Sequence, residues 1–410
     1  MEQFEQRLKQ YAALAVEVGV NVQRGQTLMI TAPIEAAAFV RQAVRRAYEI
    51  GANHVHVEWT DEDVTRARFE LASEEALAEF PSWRVNPRVE MAEGGAAFLY
   101  VVGDSPDLLK GIDSTRIAAA NKAAGTAMIP FKKFQMNNDV AWAIIAVPSR
   151  AWADKVFPDV EESRRVDALW EAIFAATRVS NGNPVDNWRE HADTLTGKAA
   201  RLNERKYKAL HYRAPGTDLT VGLPEGHIWV AAGSRNAKGT EFIANIPTEE
   251  VFTSPLRGSV NGKVTSSKPL SYAGKLIDNF SFTFQDGKIV DVNAEKEYDA
   301  LKRLVDTDDG SHYLGEVALV PHRSPISDTN IVFYNTLFDE NAACHLAIGM
   351  AFPFCMEGGR EMSKEQLAER GLNNSITHVD FMIGREDLDI DGVLADGTTE
   401  PVFRAGNWAF

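Results

Sequence analysis

The sequence predicts an α/β protein of two domains. The N-terminal one is an α/β domain built on a parallel sheet, and the C-terminal one is an α+β domain whose sheet is mostly antiparallel or mixed. The chain has 410 residues, more than one hydrophobic core usually spans. Strand-like and helix-like segments alternate in the first half, whereas β-forming residues and turns dominate the second. We therefore predict domains at residues 1–203 and 204–410.

The first half begins with a helix and a βαβ unit. An amphipathic helix runs from the N-terminus to about Gly19, and a short buried strand follows at Leu28–Thr31. Apolar positions at helical spacing predict a helix over Ile34–Glu49, which Gly51 ends. Further strands are predicted at NHVHVEW (53–59), Ala96–Asp104 and Val140–Pro148. A strand, a helix and a second strand in this order indicate a parallel sheet.

The same half lacks the sequence signals of a nucleotide site. No glycine fingerprint follows the first strand, and no Walker-type loop occurs. His54 and His56 alternate on a predicted strand, as a pair of metal ligands would, but polar residues on a strand face are the more common arrangement. From Asp159 to Arg205 the chain is charged and helical, and it leads into the second domain.

The second half predicts strands joined by tight turns. The turn QDG between FSFTF and KIVDV indicates a β-hairpin. Long helices are expected in three places, at Glu297–Thr307, Glu340–Ala351 and Lys364–Arg370.

Composition narrows the function classes. Hydrophobic residues make up 45% of the chain and charged residues 25%, the balance of a globular protein. A formal net charge of −15 argues against nucleic acid or an anionic membrane as a partner. No apolar run reaches the roughly 18 residues of a membrane span. The two cysteines form no disulfide framework and the N-terminus carries no signal pattern, so we expect a cytoplasmic protein.

Ligand-type residues gather in the C-terminal half. In ITHVDFMI, His378 and Asp380 would project side by side from one face of a strand. Glu316 interrupts the apolar strand LGEVALV, where a buried carboxylate must be paired, protonated or metal-bound. Glu249 and Glu250 are consecutive, so one of them would face a given site unless the backbone turns.

Together these residues predict a site for two divalent metal ions, Zn, Co or Mn. The candidate ligands are Glu250, Glu316, Glu340, His345, His378 and Asp380. On the predicted helix, His345 would lie ~140° round from Glu340, so the two share a metal only if Glu340 is before or in the first turn. Cys344 is expected to be a buried free thiol.

Four motifs carry a family resemblance. NIPTEEVFTSP, GEVALVP, FDENAACHLAIGMAFP and THVDFMIG, in this order and spacing, resemble the aminopeptidase T / aminopeptidase S metallopeptidase family, and the likeness covers essentially the whole chain. The resemblance implies a cytoplasmic homodimer that releases N-terminal residues from peptides, with a two-metal centre in the C-terminal domain. It implies that the metal ligands are Glu250, Glu316, His345, His378 and Asp380, with Glu340 a further candidate. Phe352 stands where the family tends to have tyrosine, so no phenol is available there.

The sequence is compatible with three functions. The first is a metal-dependent aminopeptidase acting on peptides with a free N-terminus, with Glu249 and Glu316 as catalytic carboxylates and Glu249, or an unligated Glu340, as the proton shuttle. The second is a metal-dependent amidase with the same site. The third is a non-catalytic peptide-binding protein whose metal is structural.

Overall fold

The computed structural model describes residues 2–179, 182–231, 233–273 and 275–410. The chain divides into two compact units. The first comprises Met1–Ala192 and Gly233–Thr248, and the second comprises Asp193–Ala232 and Glu249–Phe410. A domain boundary between residues 203 and 204 stays a prediction. Within the described ranges, no helix combines the length and apolar character that crossing a membrane requires.

A four-stranded parallel sheet lies in the first unit, in the order β2–β1–β3–β4. Its strands are β1 (Thr27–Pro33), β2 (His54–Thr60), β3 (Ala97–Val102) and β4 (Trp142–Ala146). The two central strands, β1 and β3, are mostly buried, as expected for apolar runs inside a parallel sheet. This arrangement confirms the predicted parallel sheet. A short antiparallel ribbon in the same unit consists of β7 (Gly233–Arg235) and β8 (Glu241–Ile243).

Helices connect the strands of the first unit, and the last of them continues into the second. They are α1 (Glu2–Leu14), α2 (Ala37–Glu49), α3 (Glu62–Leu71), α4 (Glu74–Leu77), α5 (Asn86–Glu93), α6 (Ser114–Ala127), α7 (Ile129–Met136), α8 (Arg150–Val156), α9 (Arg165–Ala176) and α10 (Pro184–Arg205). Helix α2 buries Phe39, Val40, Ala43 and Ala47, which lie along one helical face. Gly51, at φ +100°, follows its end as predicted.

A nine-stranded antiparallel sheet belongs to the second unit. Its order is β11–β12–β10–β6–β5–β17–β18–β19, with β13 paired to β12. The strands are β5 (Ala209–Ala214), β6 (Thr217–Gly222), β10 (Val260–Thr265), β11 (Leu270–Tyr272), β12 (Lys275–Gln285), β13 (Lys288–Lys296), β17 (Asp389–Val393), β18 (Thr399–Arg404) and β19 (Asn407–Trp408). Asp286 and Gly287, both at positive φ, form the predicted hairpin turn between β12 and β13.

A second antiparallel sheet of this unit, in the order β16–β15–β14–β9, carries four of the six predicted ligands, Glu316, His345, His378 and Asp380. Its strands are β9 (Val251–Thr253), β14 (Leu314–Leu319), β15 (His345–Gly349) and β16 (His378–Met382). Every residue of β14 and β15 is buried. The helices of the unit are α11 (Tyr298–Val305), α12 (Thr336–Asp339) and α13 (Lys364–Glu369).

One predicted helix is wrong. The segment Glu340–Ala351 forms a single 3₁₀ turn at Glu340–Ala342 and then strand β15, so His345 is the first residue of a strand. Alanine and leucine favour an isolated helix, but this segment lies between β14 and β16 and pairs with both. Tertiary pairing therefore overrides local propensity here. The helices expected near residues 297–307 and 364–370 are confirmed as α11 and α13.

Candidate metal centre

One face of the β16–β15–β14–β9 sheet collects four of the six candidate ligands. Ala347 on β15 is paired with Glu316 on β14 and with Asp380 on β16. Directly paired residues point to the same face of a sheet, so the two carboxylates lie on either side of a methyl group. His345 precedes Ala347 by two residues and His378 precedes Asp380 by two, so both imidazoles project from that face as well.

Glu250, His345 and Glu316 form one compact group. Nε2 of His345 lies 3.1 Å from Oε2 of Glu250 and 3.8 Å from Oε1 of Glu316. One ligand atom from each residue lies within 4.8 Å of the other two, and all three residues are buried. The strand that follows Glu250, β9, pairs with β14 and thereby brings this residue to the sheet face.

Glu316, His378 and Asp380 form a second group. Nε2 of His378 lies 3.1 Å from Oε2 of Glu316 and 3.5 Å from Oδ1 of Asp380. Glu316 thus belongs to both groups and turns one oxygen toward each histidine. Oδ1 of Asp380 is buried and lacks a hydrogen-bond donor among the described residues. A buried acceptor without a donor is costly in a protein interior, and a bound cation would satisfy it.

The backbone orients both imidazoles. Nδ1 of His345 lies 3.0 Å from the carbonyl oxygen of Glu340 and 3.1 Å from that of Ala343. Nδ1 of His378 lies 2.8 Å from the carbonyl oxygen of Met350. Because a carbonyl oxygen only accepts hydrogen bonds, Nδ1 carries the hydrogen and donates it. In the neutral ring Nε2 then has a free lone pair, which is how histidine usually meets a metal.

Charge and burial perturb these groups strongly. Burial raises the pKa of Glu316 to about 7, although the hydrogen bond with His378 opposes the rise. Burial alone would lower the pKa of His345 and His378, but contacts with Glu250, Glu316 and Asp380 raise it well above the usual value for histidine. The neighbouring carboxylates therefore favour the protonated form of both imidazoles. A divalent cation would displace those protons.

Glu340 lies close to both groups without belonging to either, and Glu249 immediately precedes Glu250 in the chain. Glu340 is buried, and burial followed by repulsion from Asp380 and Glu250 raises its pKa well above the usual value. Its Oε1 accepts a long hydrogen bond, 3.4 Å, from the Asn341 amide. Glu249 is also buried, and its backbone N–H donates to Oδ1 of Asn341 at 2.8 Å. Asn341 therefore connects the segments that carry the two glutamates.

Several residues that support the ligands carry little or no signal in the sequence. They are Asn341, Ala347, Met350 and Ser254, whose Oγ accepts a hydrogen bond from the backbone N–H of Phe352 at 3.0 Å. Met350 acts through a carbonyl group that every residue type has, so its identity carries no signal. Asn341 carried a weak signal, since it follows a candidate ligand directly in the chain.

Cys344 and Phe352 flank the histidines. The Cys344 thiol is buried and donates to the carbonyl oxygen of Val320 at 3.2 Å, and burial raises its pKa to about 12. The thiol is free and buried, as predicted. Alternation in the extended chain turns it away from His345. The ring of Phe352 lies with its centroid 4.8 Å from that of the His378 ring.

The site consists of two groups of buried carboxylates and oriented imidazoles, and both groups include Glu316. This arrangement is typical of a metal-dependent hydrolase. The chain belongs to the family described as thermophilic metalloprotease (M29), whose model matches residues 4–408. The predicted family and the predicted class of enzyme, a metallopeptidase that hydrolyses peptide bonds, are thereby confirmed.

Individual relatives match over their full lengths. Aminopeptidase AmpS of Bacillus subtilis (strain 168) is 56% identical, with 100% of both chains covered. Aminopeptidase T of Thermus aquaticus is 43% identical, again with 100% of both chains covered. The solved structure of wild-type AmpT from Thermus thermophilus matches with a TM-score of 0.92 at 42% identity, covering 99% of this chain and 100% of that chain. The α/β fold class predicted from the sequence is confirmed.

Proposed function

We propose that this metallopeptidase is an aminopeptidase with two divalent metal ions. Glu250, His345 and Glu316 would hold one ion, and Glu316, His378 and Asp380 the other, with Glu316 shared. The observation that carries the proposal is the position of Glu316, whose two oxygens face different histidines at 3.8 and 3.1 Å. A carboxylate that bridges two ions is a usual component of co-catalytic sites.

The donor set fits Zn, Co or Mn, because carboxylate oxygens and imidazole nitrogens suit these ions. When bound, such ions polarise a carbonyl group and lower the pKa of water, so that it attacks at neutral pH. The remaining steps fall to the chain itself. Glu340 completes the proposed ligand set or, if it stays unligated, moves a proton to the leaving amine. Glu249 is the other candidate for that shuttle.

Specificity for the free N-terminus rests on charge. The site gathers the carboxylates of Glu250, Glu316, Glu340 and Asp380 around two imidazoles. One of these carboxylates would hold the charged ammonium group of a free N-terminus, whereas an N-acetylated peptide offers no charge there. The names of the relatives, aminopeptidase AmpS and aminopeptidase T, support this specificity.

Three further properties belong to the proposal. The resemblance to the family implies a homodimer. The two cysteines, both buried and free, fit a reducing cytoplasm. The catalytic domain would be residues 204–410, which contain all of the candidate ligands.

Hydrolysis of aminoacyl-anilides tests the proposed function. The protein is treated with a chelator, dialysed, and assayed with and without added Zn, Co or Mn on free-amine substrates and their N-acetylated forms. We expect metal-restored cleavage of the free-amine substrates alone. Equal cleavage of acetylated substrates would contradict the exopeptidase role, and full activity after chelation would contradict the metal.

A further inference from the structure

Three phenylalanines form a partly exposed aromatic surface beside the candidate metal centre. They are Phe252, Phe352 and Phe354, which we call the aromatic cluster. The rings of Phe352 and Phe354 stack, with centroids 5.1 Å apart and planes 23° apart. Phe252 meets the edges of both, at 5.7 and 6.1 Å. These distances are normal for packed aromatic rings.

The cluster borders the ligands on the same face of the sheet. Phe252 on β9 is paired with Ala318 on β14, which is paired in turn with His345. Phe252 also follows Glu250 by two residues, and alternation along an extended chain places both on one side. The metal-ligand candidates and the Phe252 ring therefore project from one surface.

At the other end of the cluster, Phe352 contacts the second histidine. Its ring centroid lies 4.8 Å from that of His378, and its backbone N–H is fixed by Ser254. The loop that carries Phe352 and Phe354 is a 3₁₀ turn, Pro353–Cys355, in which the buried Cys355 anchors the inner side. The rings are consequently held in place, and their remaining exposed area adjoins a site that is otherwise rich in carboxylates.

We infer that the aromatic cluster binds the side chain of the substrate's first residue and favours large apolar residues such as leucine and phenylalanine. The inference rests on the proposed function. An N-terminal residue whose amine meets the carboxylates must direct its side chain to a nearby surface. Burial of an apolar side chain against the three rings removes it from water, which is favourable in proportion to the area buried.

The test compares residue preference in variants. Phe252→Ala and Phe354→Ala are assayed on leucyl-, phenylalanyl-, alanyl- and glutamyl-anilides, with metal content checked. Phe410→Ala serves as the matched control, because Phe410 is a partly exposed ring in another aromatic cluster of the same unit. We expect kcat/KM for the leucyl and phenylalanyl substrates to fall about tenfold or more, the size of effect that apolar pocket contacts give. The alanyl substrate should change little.

Binding of the free products provides a second readout. Leucine should bind the Phe354→Ala variant more weakly than the parent, as measured by calorimetry, whereas alanine should bind both equally. Phe354→Leu, which keeps an apolar surface, should retain most of the preference. An equal loss for all four anilides, or an unchanged preference, would overturn the inference while leaving the aminopeptidase proposal intact. A parent protein that cleaves no anilide with any metal would overturn both.

Discussion

Strands β2 and β16 both alternate ligand-type side chains at the edge of a four-stranded sheet, yet their surroundings differ. On β2, His54 and His56 are exposed, and the residues paired with them on β1 are Thr27 and Met29. The pair has no buried carboxylate across the sheet from it in this register. Glu58, two residues further along β2, is instead paired with Arg88.

On β16, the neighbouring strands complete the pattern. Gly349 lies opposite His378 and Ala347 opposite Asp380, and both are small. Their size leaves space for the carboxylate of Glu316 to reach His378 from the next strand, at 3.1 Å. Alternating ligand-type residues on one strand therefore form a site only when the neighbouring strands supply small residues and a buried acid.

Glu316→Gln should have the largest effect. The substitution removes the charge shared by both groups, so it weakens both ion sites at once. We expect kcat/KM on a leucyl-anilide to fall by ~10³-fold or more, with loss of bound metal measured by elemental analysis. Glu58→Gln on β2 is the matched control, since it makes the same chemical change on a strand that holds no candidate site. Retained activity and metal in Glu316→Gln would contradict the shared role of this residue.

Metal removal should destabilise the protein, and the effect should depend on His345 and His378 and not on His54 and His56 of β2. An ion at 100 times its Kd adds about 2.7 kcal/mol to the free energy of unfolding. Chelation should thus lower the midpoint of thermal unfolding by several degrees, as measured by calorimetry. On chelation, the midpoint of the variant His54→Ala/His56→Ala should fall as far as that of the parent. The midpoint of the variant His345→Ala/His378→Ala should fall little on chelation. A fall as large as that of the parent would show that the metal binds elsewhere.

Metal affinity should depend on pH with a definite sign. In the metal-free chain the contacts with acidic neighbours raise the pKa of His345 and His378, so both imidazoles keep their protons to higher pH than usual. The stability that these protonated histidines add to the metal-free fold is complete below the unfolded pKa of about 6.5 and is lost as pH rises through the folded pKa. Metal binding has the opposite dependence, because it requires the neutral rings.

We therefore expect the Kd for zinc to rise as pH falls below the raised pKa values, by about tenfold per pH unit for each proton displaced. Fluorescent-chelator competition between pH 5.5 and 8.5 measures it. Substituting His54 and His56 should leave the curve unchanged. A Kd that stays constant over this range would show that no proton leaves with metal entry.

Glu58→Gln should have the smallest effect. The Arg88–Glu58 ion pair is partly exposed, with 13% and 30% of the side-chain surfaces accessible. Pairs of this kind contribute about 0.5 kcal/mol, and salt screens them. We expect a loss of that size in urea unfolding at low ionic strength and a smaller one at 1 M salt. A loss of several kcal/mol would contradict the small contribution expected of a partly exposed ion pair.

The sequence was informative wherever local pattern decides structure. The parallel strands and the 286–287 hairpin turn follow from apolar runs and turn residues, and Glu316 was identifiable as an acid inside an apolar strand. It was not informative for His345, because the alanine-rich run around it favours a helix in isolation, and pairing with β14 and β16 makes it a strand. Registers between distant strands, which bring Glu316 opposite Ala347, have no local signal at all.

A stoichiometric metal titration tests whether two ions share Glu316 in one catalytic site. Chelator-treated protein is titrated with zinc or manganese while bound ions per chain and leucyl-anilide cleavage are measured on the same samples. We expect activity to rise until two ions are bound per chain, and we expect Glu316→Gln to reach neither two bound ions nor full activity. Full activity at one ion per chain would contradict a two-ion site, and turnover independent of bound metal would contradict the metal centre itself.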